Sequence, residues 1–98
     1  MANKELSISV ILPNYNGKHL LEMFLPFTIG ALIGSKVNYE IIVIDDCSTD
    51  ESITFIQKNY PDFILLKNEK NSGFSYTCNR GIAVASKNLV LLLNTDVK

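Results

Sequence analysis

Two runs in this chain, "IIVI" at 41–44 and "LVLLL" at 89–93, are apolar without interruption. An extended strand sends successive side chains to opposite sides, so such a run needs cover both above and below. Two further segments have strand character. "LSISVILP" places Leu6, Ile8, Val10 and Leu12 on one face, with Ile11 thickening its end, and "DFILLK" follows at 62–67. Helical patterns fill the intervals. Residues 18–33 form the first, with a bend expected at Pro26. In "CSTDESITFIQKNYP", Ser48 and Glu51 have the spacing of a capping box. Ile53, Ile56 and Tyr60 give an inward stripe there before Pro61 stops the helix. "NSGFSYTCNRGIAVAS" is predicted to turn Phe74, Cys78, Ile82 and Ala85 inward.

The order βαβαβαβ, with strands apolar on both faces, predicts an α/β fold: a parallel sheet with helices on each side. Right-handed crossovers favour a doubly wound, Rossmann-like three-layer αβα half-domain of four parallel strands in spatial order 3-2-1-4. The chain then reverses its progress across the sheet between strands 1 and 4, and a crevice opens beyond their carboxyl ends. Pro13, Asn14, Tyr15 and Asn16 follow strand 1, Asn94, Thr95 and Asp96 follow strand 4, and Asp45 and Asp46 follow strand 2 next door. Ligands bind at such strand tips in open α/β sheets.

Composition narrows the classes. Nine basic and ten acidic residues give a net charge of −1 with no block of like charge, which argues against a broad nucleic-acid-binding face. Cys47 and Cys78 lack CxxC or Cys/His spacing, so two reduced thiols are expected rather than zinc or a disulfide framework. "MANKELSISV" has no apolar signal core, and the uncharged stretch 23–35 is too short to span a bilayer. A cytoplasmic protein is expected, at most peripheral to the membrane.

Carboxylates gathered at one rim repel one another, and a divalent cation relieves the repulsion; Asp oxygens suit Mg²⁺ or Mn²⁺. A metal held by few protein oxygens leaves room for phosphate oxygens, which points to a nucleoside diphosphate. Each residue also has a plainer reading. Asp45 or Asp46 could be a helix N-cap, Asn16-Gly17 a turn, Pro13 a strand end, and Tyr15 surface packing. His19 is read as a solvated surface residue, and Arg80 as a mid-helix side chain facing solvent. "NSGF" lacks both GxGxxG spacing and a Walker lysine, so it is not read as a phosphate cradle.

"PNYN" after strand 1, "VIDDCSTDES" after strand 2, "NEKNSGFSYTCNRG" after strand 3 and "LLLNTDV" after strand 4 resemble, in order and spacing, the start of a family 2 glycosyltransferase. The resemblance runs from about Ser7 to Val97. It implies the N-terminal part of a GT-A fold, the half that binds a nucleotide-diphosphate sugar, commonly a UDP- or dTDP-sugar, for polysaccharide or glycoconjugate synthesis. By the same resemblance, Pro13 and Tyr15 contact the base and Asp46 hydrogen-bonds it. Asn71 and Gly73 lie beside the nucleotide. Asn94-Thr95-Asp96 falls on the DxD motif, reading NxD. Asp96 is therefore expected to hold Mn²⁺ or Mg²⁺ directly, with Asn94 on ribose, on water or at the metal's margin. The family's acceptor half and general base would lie beyond residue 98, so residues 1–98 alone are expected to bind the nucleotide without transferring the sugar. An apolar edge on strand 4 is expected to support self-association.

Three other readings compete: an inactive nucleotide-binding module, a phosphoacceptor receiver domain and a sugar nucleotidyltransferase. A receiver domain would open with its acidic pair, whereas here a strand and a helix come first. A nucleotidyltransferase would want a Gly- and Arg/Lys-rich loop where "PNYNGKHLL" stands.

Overall fold

The computed structural model describes residues 6–94. Its elements run β1 (Ser7–Asn14), α1 (Lys18–Gly34), β2 (Asn38–Asp45), α2 (Ser52–Asn59), β3 (Ile64–Lys67), α3 (Phe74–Val84) and β4 (Leu89–Leu92). All strand pairs are parallel, in the order β3-β2-β1-β4. The expected topology is the observed one.

The sheet separates two cores. On one side Val10, Leu12, Ile41 and Val43 meet Leu21, Leu25 and Leu32 of α1 and Ile56 of α2. On the other side Ile11, Ile42 and Ile44 lie under α3. Val10 to Leu12 and Ile41 to Ile44 are buried at both parities, as strands covered on two faces must be. Helix α1 runs on through Pro26, which is exposed; the inward stripe 21-25-32 holds it despite the missing N–H. β4 forms one edge of the sheet, and its four apolar side chains are 43–49% exposed. Among the described residues no helix is long and apolar enough to cross a membrane.

Three local expectations are corrected. Leu6 lies exposed ahead of β1 instead of continuing its buried face. The Ser48/Glu51 capping box does not form: Glu51 is the N-cap of α2 without a side-chain bond, and Asp50 receives the Ser52 N–H at 2.9 Å. Helix α3 is rotated from the expected phase. Thr77, Cys78 and Gly81 are buried, while Phe74 and Ile82 are about half exposed. Gly81 sets that phase, because a Cβ there would stand 2.5 Å from Ile44 Cδ1 and 2.8 Å from Ile11 Cγ2. Only a residue without a side chain lets α3 sit this close to the strands.

Candidate nucleotide-binding cleft

Parallel strands deliver their carboxyl ends to one rim, so residues distant in sequence converge there. A cleft of about 200 Å³ opens at that rim. Pro13, Asn14 and Tyr15 line it from β1, Asp46 from β2, Asn71, Gly73, Phe74 and Thr77 from the start of α3, and Asn94 from the end of β4. Seven residues expected at the site are thus brought together. Asn16 is not among them. Its Oδ1 accepts the N–H groups of Thr49 (2.7 Å) and Asp50 (3.1 Å), so it fastens the loop after β2 instead of facing the cleft. Thr95 and Asp96 lie outside the described residues. Phe74 and Thr77 were missed by the sequence reading because it placed Phe74 in the core.

The two adjacent acids divide their work. Asp45, which is buried, accepts Asn14 Nδ2 (3.0 Å) and the Ser48 hydroxyl (2.7 Å) on Oδ1, and the Ser48 N–H (2.8 Å) on Oδ2. It joins the tips of β1 and β2. Cys47 adopts φ 63°, a left-handed conformation that turns the chain sharply between the two anchored segments.

Asp46 reaches the other way. Its Oδ1 accepts Ser72 N–H (2.7 Å) and Asn68 Nδ2 (2.9 Å), and its Oδ2 accepts Gly73 N–H (3.0 Å). Neither acid is the N-cap of its own following helix; instead Asp46 closes the entrance to α3 from another strand, where the helix dipole also favours an anion. Burial alone would raise the Asp46 carboxyl, but the Ser72, Asn68 and Gly73 donors outweigh it and hold it below the ordinary carboxylate range. The group is anionic at neutral pH. An ionised carboxylate offers about four lone-pair sites. Ser72 and Asn68 occupy Oδ1 and Gly73 meets Oδ2, and the Thr77 hydroxyl also helps to lower the carboxyl.

Gly73 makes this possible. Its φ 93° and ψ 166° belong to a region essentially reserved for glycine, although a Cβ there would meet nothing within 4 Å. The requirement is conformational: this backbone points two consecutive N–H groups at Asp46. Those donors are spent on the protein's own carboxylate.

Arg80 was expected to face solvent. Its Nη1 instead donates to Asn68 Oδ1 (2.8 Å) and to the Lys67 carbonyl (3.1 Å). His19 is exposed, as expected, and both cysteines are free, Cys47 exposed and Cys78 buried. Among the described residues no group of three His, Cys, Asp or Glu side chains is placed to hold a metal. The cleft's described lining carries the Asp46 carboxylate and the side-chain amides of Asn14, Asn71 and Asn94.

The family profile described as "Glycosyl transferase family 2" matches residues 9–98, and the chain belongs to that family. It is 36% identical over 103 residues, covering 98% of this chain, to the uncharacterized glycosyltransferase YibD of Escherichia coli (strain K12). Among solved structures it resembles S. aureus TarS 1-349 in complex with UDP, with a TM-score of 0.76 and 27% identity over 93% of this chain. The fold is also that of the mannosyltransferase PcManGT from Pyrobaculum calidifontis in complex with GDP-Man and Mn²⁺, with a TM-score of 0.79, 23% identity and 95% of this chain covered. The chain spans 28% of the length of each of these three proteins.

Proposed function

We propose that residues 1–98 are the nucleotide-sugar-binding part of a glycosyltransferase, with the nucleotide seated in the cleft at the carboxyl rim and a UDP- or dTDP-sugar as donor. The observation that carries this reading is the convergence of Tyr15, Phe74 and Asp46 on one cleft. Tyr15 and Phe74 are each about half exposed and offer ring faces on which a base can stack. Asp46 is anionic and can only accept. It therefore favours a base whose edge presents an N–H, such as the imide of uracil or thymine. The ring nitrogen of cytosine at that position is an acceptor and would face the carboxylate without a proton between them.

In this reading Asn94, which lines the cleft, contacts the ribose, a water or the metal's margin, and Asp96 is the direct ligand of Mn²⁺ or Mg²⁺. That ion, when bound, neutralises charge on the departing diphosphate. With Asn94 in place of a carboxylate the metal is held weakly, so Asn94→Asp is expected to tighten Mn²⁺ binding in the presence of UDP. No gain would count against this assignment.

Among the described lining residues Asp46 is the one carboxylate, and its bonding to three donors unfits it as a proton acceptor. Transfer to an acceptor hydroxyl therefore needs a general base from elsewhere in the enzyme. The proposal is tested by calorimetric titration with UDP, dTDP, GDP and CDP, each with and without Mn²⁺. Saturable binding that prefers UDP or dTDP to CDP, and tightens with Mn²⁺, is the expected result. Absence of binding by all four would end the reading.

A further inference from the structure

We propose that Arg80 is a positioning residue that fixes, through the Asn68 side chain, how Asp46 presents its carboxylate to the cleft. The inference lies in the hydrogen-bond polarity of the chain of contacts. A guanidinium only donates and an ionised carboxylate only accepts. The amide of Asn68 stands between them: Oδ1 receives Arg80 Nη1 at 2.8 Å, and Nδ2 donates to Asp46 Oδ1 at 2.9 Å. Turning the amide over would set its nitrogen against the guanidinium and its oxygen against the carboxylate. Both ends therefore select the same orientation, and Arg80 holds the end that is remote from the cleft.

The rest of the arrangement is built around that amide. Asn68 is buried, and its N–H is tied to the Asp45 carbonyl at 2.8 Å, which fixes its backbone beside β2. Its Nδ2 also donates to Thr77 Oγ1 at 2.9 Å, and that hydroxyl donates to the Gly73 carbonyl at 2.7 Å. Thr77 and Arg80 are three residues apart on α3 and so share one face, which turns both toward Asn68. Arg80 is not among the residues lining the cleft and makes no hydrogen bond to Asp46; its Nη1 meets the Asn68 side chain and the carbonyl of the preceding residue, Lys67 (3.1 Å), so its effect on Asp46 passes through Asn68.

The test has one arm without ligand and one with it. Amide hydrogen exchange by NMR compares the wild-type protein with Arg80→Met, which keeps an apolar stem but removes the donors, and Arg80→Lys, which restores a donor-only head. Asn68→Asp breaks the same relay at its other end, because it keeps an acceptor for Arg80 and replaces the donor to Asp46 by an anion. Arg80→Met is expected to speed exchange at Ser72 and Gly73, the two N–H groups held by Asp46, about tenfold. Asn68→Asp is expected to speed it further. The Ser48 amide, held by Asp45, should be unmoved in both, and Arg80→Lys should stay within about threefold of wild type, on the same hydrogen-bond scale. Unchanged exchange at Ser72 and Gly73, or an equal acceleration that includes Ser48, would overturn the relay.

The second arm rests on the nucleotide-binding reading. UDP affinity should fall about tenfold in Arg80→Met and recover in Arg80→Lys. Undiminished UDP affinity in Arg80→Met would overturn the relay's link to the cleft. A wild-type protein that ignores UDP but shows the expected exchange pattern would uphold the relay and discard the nucleotide.

Discussion

Two carboxylates near opposite ends of β2 look alike electrostatically and differ in what they face. Near the amino end, Glu40 accepts the Ser9 hydroxyl (2.6 Å) and the N–H (2.7 Å) and hydroxyl (3.0 Å) of Ser86, which latches the entry of β4 to the two central strands. Just past the carboxyl end, Asp46 gathers Asn68, Ser72 and Gly73. For both, burial by itself would raise the carboxyl, and surrounding donors lower it below its ordinary range; Lys87 adds to the effect at Glu40. A perturbed carboxylate therefore does not by itself mark a site. The distinction is geometric: Asp46 also borders a cleft with Tyr15 and Phe74, whereas Glu40 bonds to Ser9 of β1 and to Ser86 in the turn before β4, the segments it fastens. One is an anchor; the other is an anchor with an open side.

The comparison can be broken in three ways, and acid should have the largest effect. Glu40, Asp46 and Asp50 all have depressed folded-state values, each through donors that overcome burial. Their stabilisation is fully present above the unfolded carboxyl range near pH 4 and is lost as pH falls through the lower folded values. Melting temperature should therefore be level from neutrality to about pH 5 and fall steeply below about pH 4. A flat profile down to pH 3 would show that these bonds contribute little.

Next in size is Tyr15→Ala, which should weaken UDP binding by about tenfold or more, as loss of a stacking face does, while the melting temperature barely moves. A melting temperature that falls with the affinity would make Tyr15 part of the packing instead. Smallest is Glu40→Gln, which keeps the shape but loses the charge. It should cost about 1–2 kcal/mol of stability by denaturant titration.

Much of this was legible in the sequence, and the reason is topological. Once "IIVI" and "LVLLL" demand cover on both faces, parallel strands and right-handed crossovers follow, and the tips of β1, β2 and β4 must share a rim. Pro13, Tyr15, Asp46 and Asn94 converge for that reason alone. What stayed hidden depends on details finer than strand order. Arg80 and Asn68 lie 12 residues apart and meet through a side-chain bond that no periodicity announces. Ser48 was read as a cap when its hydroxyl and N–H serve Asp45. The phase of α3 did leave a signal: Thr77, Gly81 and Ala85 form a stripe of small residues at helical spacing, the pattern of a helix pressed against a sheet. The larger Phe74 and Ile82 drew the inward face to the wrong side, and Phe74 was lost from the site with it.

The central claim is that Asp46, unlike Glu40, turns its carboxylate toward a ligand. It is tested most directly by titrating UDP into Asp46→Asn and Glu40→Gln side by side, with the melting temperature of each recorded. Both variants should melt below wild type, but only Asp46→Asn should lose UDP affinity, by ten- to a hundredfold for a hydrogen bond to a charged group. Equal UDP affinity in the two variants would contradict the account.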